Sequence, residues 1–156
     1  MAALPIRIWL EIDHQTTFRS GGWAFVLAEG SALSGVAGGE RGPSAERIAL
    51  AGLAEALKGA PPAAAVEVRT ASAAVLAAYR RLTNTDDPPA EDLELWAQIA
   101  TSLKGRPVRF APAPAAPRTP GAFAAAWAEL ARDKAKTRPF RAAIPKTNLA
   151  KAGVPA

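Results

Sequence analysis

The chain carries few of the side chains that usually act as nucleophiles, general bases or soft metal ligands. Its 156 residues include no cysteine and a single histidine, His14, which excludes disulfides and cysteine-rich zinc sites. An imidazole is well suited to proton transfer near neutral pH. A lone histidine in a polar stretch is nevertheless more often an ordinary loop residue, so we predict no catalytic role for His14. Carboxylates and basic residues remain as the groups that could do chemistry.

Positive charge is concentrated at the carboxyl-terminal end. The formal net charge is +5, and a basic balance favours an anionic partner such as nucleic acid. Residues 132–156 contain seven basic residues against one acid, Asp133. Flexible lysine and arginine side chains can neutralise phosphates without a preformed groove. The predicted nucleic-acid-binding residues are Lys134, Lys136, Arg138 and Arg141. A solvated segment without a partner is the alternative interpretation.

The elements that must position these groups alternate between strands and helices after an opening run of three strands. Alternating apolar residues and turn signals predict strands at 6–12, 23–28, 33–38, 65–70 and 108–111. Helical spacing predicts a helix that begins after Ser44 and ends before Gly59, with Ser44 as its N-cap. Further helices are predicted at 72–82, 91–103 and 122–136. This order predicts an α/β domain with a mixed sheet.

The length fits one domain, which we place at residues 1–136. Residues 137–156 are basic and interrupted by Pro139, Pro145 and Pro155, a composition that predicts a disordered or extended tail. No apolar run approaches the roughly 18 to 20 residues of a membrane span, so no membrane association is predicted. The absence of cysteine is compatible with a reducing cytoplasm, our expected location.

Four short strings carry a resemblance to a known family. They are Gly21-Gly22-Trp23-Ala24, Ala45-Glu46-Arg47-Ile48-Ala49-Leu50, Asp92-Leu93-Glu94-Leu95-Trp96 and Ala128-Glu129-Leu130-Ala131-Arg132. In this order and spacing they resemble strings of the type I ribonuclease H family, over about residues 6–136. The resemblance implies a ribonuclease H-like fold: a five-stranded mixed sheet with helices on both faces.

The resemblance also implies a site in which four acidic positions hold two divalent metal ions about 4 Å apart. Such hard cations prefer oxygen ligands. Asp13, at the end of the first strand, and Glu46, in the first helix, match two of the four positions. Ala71 and Ala128 stand where the family carries the other two acids, and the proline-rich segment 111–121 lacks the family's histidine. Glu11, on the same strand face as Asp13, is the best substitute ligand.

Two functions follow from this comparison. The first is a non-catalytic ribonuclease H-like module that needs no cofactor and binds nucleic acid, such as an RNA–DNA hybrid, or a protein partner. The second is a ribonuclease H that cleaves RNA in RNA–DNA hybrids, with Mg²⁺ or Mn²⁺ weakly bound by Asp13, Glu46 and possibly Glu11. The two missing ligands favour the first function. In other metal sites, the loss of a residue that only supports a ligand already lowers metal affinity or activity about 10–100-fold. The oligomeric state is left open.

Overall fold

The structure is a computed structural model, and it describes residues 4–42, 44–84, 86 and 88–155. Within these residues the chain forms six strands and five helices. The strands are β1 (Ile6–Gln15), β2 (Ser20–Glu29), β3 (Ala32–Arg41), β4 (Val66–Thr70), β5 (Val108–Pro112) and β6 (Phe140–Ala143). The helices are α1 (Ala45–Gly59), α2 (Ala73–Thr83), α3 (Leu93–Leu103), α4 (Pro120–Lys134) and α5 (Lys146–Leu149). None of these helices is long and apolar enough to cross a membrane.

All six strands of the described chain join one mixed sheet in the order β5-β4-β1-β2-β3-β6. The β1–β2, β2–β3 and β3–β6 pairs are antiparallel, whereas β1–β4 and β4–β5 are parallel. Strand β1 therefore lies between an antiparallel and a parallel neighbour. Because β1 and β4 run in the same direction, the carboxyl end of β4 lies beside the middle of the longer β1.

The two faces of the sheet carry separate apolar clusters. On one face, Ile8 and Leu10 of β1 pack with Leu50 and Leu53 of α1. On the other face, Trp9 of β1 belongs to a cluster with small residues of α4. This alternation is the period-two pattern of a strand buried on both sides, and it puts Glu11 and Asp13 on the α4 face with Trp9.

Helix α4 approaches the sheet closely because both surfaces are made of small residues. A Cβ added to Gly22 would lie 2.0 Å from the carbonyl oxygen of Ala128, and one added to Gly39 would lie 2.7 Å from that of Ala131. Ala128 and Ala131 are fully buried at this contact. The glycines of β2 and β3 are therefore needed for the short distance between helix and sheet.

The predicted α/β mixed sheet is present, but with six strands rather than five. The sixth lies in the segment expected to be a disordered or extended tail after residue 136. Strand β6 pairs with the edge of β3, with Val36 opposite Ala143 and Gly39 opposite Phe140. After it, Ile144 and Leu149 are buried in the cluster on the α4 face. Strand β6 is only four residues long, too short for a clear alternating pattern. It forms because the edge of β3 offers backbone N–H and C=O groups that need hydrogen-bond partners.

The hairpin between β1 and β2 is longer than predicted. The predicted strands end at residue 12 and resume at residue 23, yet β1 continues to Gln15 and β2 begins at Ser20, and these two residues pair. Backbone pairing along an antiparallel hairpin needs no apolar side chains, which is why the extension leaves no sequence pattern.

The predicted Ser44 cap of α1 is confirmed, since its Oγ accepts a hydrogen bond from the amide of Arg47 at 3.2 Å.

Candidate functional site

Glu11 is the acidic side chain that the sheet brings to the end of β4. Parallel pairing sets Trp9 opposite Arg69, so two residues later the β1 chain passes the point where β4 ends. There Glu11 Oε2 accepts a hydrogen bond from the amide of Ala71 at 2.8 Å, and Oε1 accepts one from Thr70 Oγ1 at 3.5 Å. Glu11 is 5% exposed. The carboxylate is thus buried and held by the backbone at the start of the β4–α2 connection.

Burial raises the pKa of Glu11 to about 7, against the opposing effect of the hydrogen bonds from Ala71 and Thr70. Removing a carboxylate from water disfavours its charged form, whereas donors that point at it favour that form. Desolvation is the larger of the two effects here. Burial therefore favours the protonated form of the Glu11 side chain.

Asp13 lies two residues farther along β1, opposite Gly22, and is paired with an arginine. Arg132 Nη1 of α4 lies 2.9 Å from Asp13 Oδ2, and its Nη2 lies 3.0 Å from Asp133 Oδ1. The Arg132 side chain is only 12% exposed. The hydrogen bond to Asp133 is the main cause that raises the pKa of Arg132, and Asp13 adds to it. A fixed positive charge therefore already neutralises Asp13.

Glu46 occupies the first turn of α1 and is paired with a second arginine. Arg81 Nη1 of α2 lies 2.9 Å from Glu46 Oε1. The guanidinium of Arg81 also lies over the ring of Trp96, 5.9 Å from its centroid. Glu46 thus links α1 to α2 through an ion pair. Its partner, Arg81, bonds neither Glu11 nor Asp13 in the contacts described above.

The two alanines at expected acid positions lie in different environments. Ala71 is exposed at the β4–α2 connection, where its amide meets Glu11. Ala128 is fully buried, with its backbone over Gly22. The structure brings Glu11, not Asp13, beside Ala71, and the site role of Asp13 stays a prediction. In the sequence, Glu11 is noticeable as a charged residue between the apolar residues Leu10 and Ile12. Only the register between β1 and β4 decides that Glu11 is the residue that meets Ala71.

These carboxylates do not fit a two-metal centre. Among the residues that the structure describes, no group of three or more histidine, cysteine, aspartate or glutamate side chains is placed to hold a metal ion. A hard divalent cation needs several oxygen ligands directed at one point. Glu11, Asp13 and Glu46 are instead bonded to a backbone amide, to Arg132 and to Arg81. The predicted metal ligands are near the expected elements but are used for internal contacts.

The four predicted nucleic-acid-binding residues make different contacts. Lys134 and Arg138 are exposed and line a concavity of about 380 Å³ at the end of α4, together with Thr137 and Phe140. Arg141 lies in β6, where its guanidinium donates two hydrogen bonds to Glu55 Oε2 of α1, at 3.2 and 3.0 Å. Arg141 is therefore used to attach β6 to the opposite helical layer.

Lys136 and His14 lie near the β1–β2 hairpin. Lys136 Nζ is 3.4 Å from Asp133 Oδ1 and 4.6 Å from the centroid of the Phe18 ring. His14 Nε2 lies 3.1 Å from the carbonyl oxygen of Gly42. This contact joins the end of β1 to the segment that precedes α1, so His14 is a strand residue rather than the loop residue that its polar surroundings suggest.

The fold is similar to that of solved ribonucleases H. One is LC9-RNase H1, described as a type 1 RNase H with the type 2 active-site motif; the TM-score is 0.65 and the identity 12%, over 97% of this chain and 86% of that chain. Another is the N-terminal RNase H domain of Rv2228c from Mycobacterium tuberculosis, solved as a fusion with maltose-binding protein. Its TM-score is 0.59 and its identity 19%, over 85% of this chain and 97% of that chain. No protein-family model and no curated protein sequence matches the chain.

Proposed function

From the ribonuclease H-like fold, we propose that this protein is a nucleic-acid-binding module that does not carry out two-metal hydrolysis. The observation that carries the proposal is the internal use of its acids. Glu11 is bonded to the amide of Ala71, Asp13 to Arg132 and Glu46 to Arg81. Three carboxylates with three different partners do not form a cage for metal ions.

Electrostatics at Asp13 support the same conclusion. The Arg132 guanidinium is mostly buried and 2.9 Å from the Asp13 carboxylate. A metal ion bound there would have to displace Arg132 or accept its repulsion. At Ala71 and Ala128 the chain has no oxygen ligand on the side chain, so nothing compensates for this repulsion.

Nucleic acid is the partner best supported by the surface. Lys134 and Arg138 are exposed at the end of α4, and Lys136 lies beside them on the chain. The net charge of +5 favours binding of polyanions. The similar solved structures are named as RNases H, which makes an RNA–DNA hybrid the first ligand to test.

The alternative is a ribonuclease H with a weakened site, and one observation favours it. Glu11 retains a carboxylate in the middle of β1 beside Ala71, and position 71 is one where the family resemblance implies an acid. If the protein cleaves RNA in RNA–DNA hybrids, replacement of Glu11 should lower the cleavage rate the most.

Cleavage of a labelled RNA–DNA hybrid, with Mg²⁺ and separately with Mn²⁺, tests the first half of the proposal. We expect no metal-dependent product above the reaction without protein. Glu11→Gln and Asp13→Asn serve as matched variants that remove charge with little change of shape. Robust cleavage by the natural sequence that Glu11→Gln abolishes would overturn the proposal and establish the alternative.

Fluorescence anisotropy with the same hybrid tests the second half. If three cations engage phosphates, the slope of log affinity against log salt should be about −3, from about −0.9 per phosphate. Replacing Lys134, Lys136 and Arg138 with alanine should make the slope shallower. The control replaces Lys104 and Arg109, which are exposed elsewhere, and should leave the slope unchanged. An equal loss in both variants, or no binding by the natural sequence, would overturn the assignment.

A further inference from the structure

The tip of the β1–β2 hairpin presents an aromatic ring to solvent. Phe18 is 51% exposed, and it is the one aromatic among the exposed large hydrophobic residues of the described chain, the others being leucines. It lies in the four-residue connection 16–19, between the paired residues Gln15 and Ser20. The ring makes no part of either apolar cluster described for the two faces of the sheet.

The backbone around Phe18 is held on both sides. The amide of Arg19 donates to the carbonyl oxygen of Thr16 at 3.2 Å, and the amide of Gly42 donates to that of Arg19 at 2.8 Å. Arg41 Nη2 donates to the carbonyl oxygen of Phe18 at 3.5 Å. The turn is therefore fastened to the end of β3, which lowers the entropy lost when a ligand orders the ring.

One cation contacts this ring and two more lie in the same part of the fold. Lys136 Nζ lies 4.6 Å from the ring centroid, a cation–π contact, and the side chains of Arg19 and Arg41 are exposed at the same end of the sheet. The nearby acid Asp133 is already bonded to Arg132 and Lys136. An exposed ring with surplus positive charge around it fits a ligand that combines flat apolar faces with anionic groups.

We propose that Phe18 is a stacking platform for an unpaired base, and that Lys136, Arg19 and Arg41 bind the adjacent phosphates. The ligand class is single-stranded nucleic acid. In a duplex both faces of an internal base are already stacked on the neighbouring bases. Such a base has no free face on which the Phe18 ring could stack. The inference rests on the proposed function and adds to it the surface and the strandedness of the ligand.

The proposal is tested by anisotropy with labelled single strands and with hybrid and DNA duplexes of the same sequence. Replacing an aromatic platform with alanine costs about 1–3 kcal/mol per stacked base, so Phe18→Ala should weaken single-strand binding about 5- to 100-fold. Duplex affinity should stay within about twofold. Phe18→Trp should retain single-strand affinity, whereas Phe18→Leu should lose it although leucine is equally apolar.

Leu130→Ala is the matched control, since Leu130 is 42% exposed on α4, and it should have no effect. Circular dichroism confirms that each variant is folded. If the natural sequence binds duplexes but Phe18→Ala binds single strands equally well, the stacking proposal fails and the proposed function stands. If Phe18→Ala weakens duplex and single-strand binding equally, the single-strand assignment fails. If no nucleic acid binds at all, as for a surface that takes a protein, both proposals fail.

Discussion

At the scale of single residues, the acids of this protein are stabilised by contacts within the chain. Asp13 is 119 residues from Arg132 in sequence, yet the two form a hydrogen-bonded ion pair of which the arginine is mostly buried. The contacts of the Glu11 carboxylate with described residues are hydrogen bonds from Ala71 and Thr70, and burial raises its pKa. The two neighbouring acids of β1 therefore differ, since Asp13 is neutralised by an arginine whereas burial favours the protonated form of Glu11.

Replacing Glu11 with glutamine should remove a pH dependence of stability. The unfolded chain releases the Glu11 proton near pH 4.5, whereas the folded protein keeps it until about pH 7. Between these values the folded state binds more protons, so the free energy of unfolding falls as pH rises. The total loss is about 3 kcal/mol, at 1.36 kcal/mol per pKa unit. Urea unfolding from pH 5 to pH 8 should show this fall in the natural sequence and not in Glu11→Gln; parallel curves would contradict it.

A double-mutant cycle should measure the coupling between Asp13 and Arg132. Arg132→Ala should destabilise the protein by about 1–3 kcal/mol, because it removes hydrogen bonds to two carboxylates. Asp13→Ala should cost less, since its side chain is 31% exposed. We expect a coupling energy of about 1 kcal/mol, measured by urea unfolding of the four proteins. Strict additivity would mean that the ion pair contributes nothing.

At the scale of elements, the carboxyl-terminal segment completes the domain. Strand β6 extends the sheet beyond β3, α5 follows it, and Leu149 of α5 is 1% exposed. The side chain of Lys146 donates a hydrogen bond to the carbonyl oxygen of Leu33, and Arg7 Nη1 donates to that of Pro155 at 2.8 Å. The segment is thus bonded along its length to β3 and β1.

Truncation after Thr137 should therefore destabilise the domain. The cut removes Ile144 and Leu149, which are 3% and 1% exposed, and burial of such a side chain contributes about 1.5–3 kcal/mol. Leu149→Ala in the full chain should cost about 2–4 kcal/mol, and the exposed Lys151→Ala should cost almost nothing. Thermal unfolding measures all three. A truncated protein that unfolds at the natural temperature would show that the segment is not part of the folded unit.

At the scale of the whole molecule, the basic and acidic groups are arranged in different ways. Glu11, Asp13 and Glu46 are bonded to partners within the chain, while Lys134 and Arg138 are exposed at the end of α4. These carboxylates are satisfied by partners within the protein, whereas these two cations remain available to a ligand at the surface. This contrast is the basis on which we propose an anionic polymer, rather than a metal ion, as the ligand.

Divalent metal should therefore leave the stability of the whole protein unchanged. A ligand that binds only the folded state stabilises it by RT ln(1 + [L]/Kd), about 1.4 kcal/mol at ten times Kd. We expect the same melting temperature in Mg²⁺ as in a monovalent salt of equal ionic strength. Ala71→Asp places a second carboxylate beside Glu11 at an exposed position and should make the melting temperature rise with Mg²⁺. A comparable rise for the natural sequence would indicate a metal site that its acids do form.

The sequence by itself determined the local features of this protein. Apolar alternation predicted the central parts of strands β1 to β5, and the Ser44 hydroxyl predicted the start of α1. Only the tertiary structure decided which residues meet: Glu11 rather than Asp13 beside Ala71, Arg132 on Asp13, and β6 on the edge of β3. Strand and helix periodicity acts over a few residues, so it is written in the local pattern. Register, ion pairs and edge pairing join residues that are far apart in sequence, and they depend on how the whole chain packs.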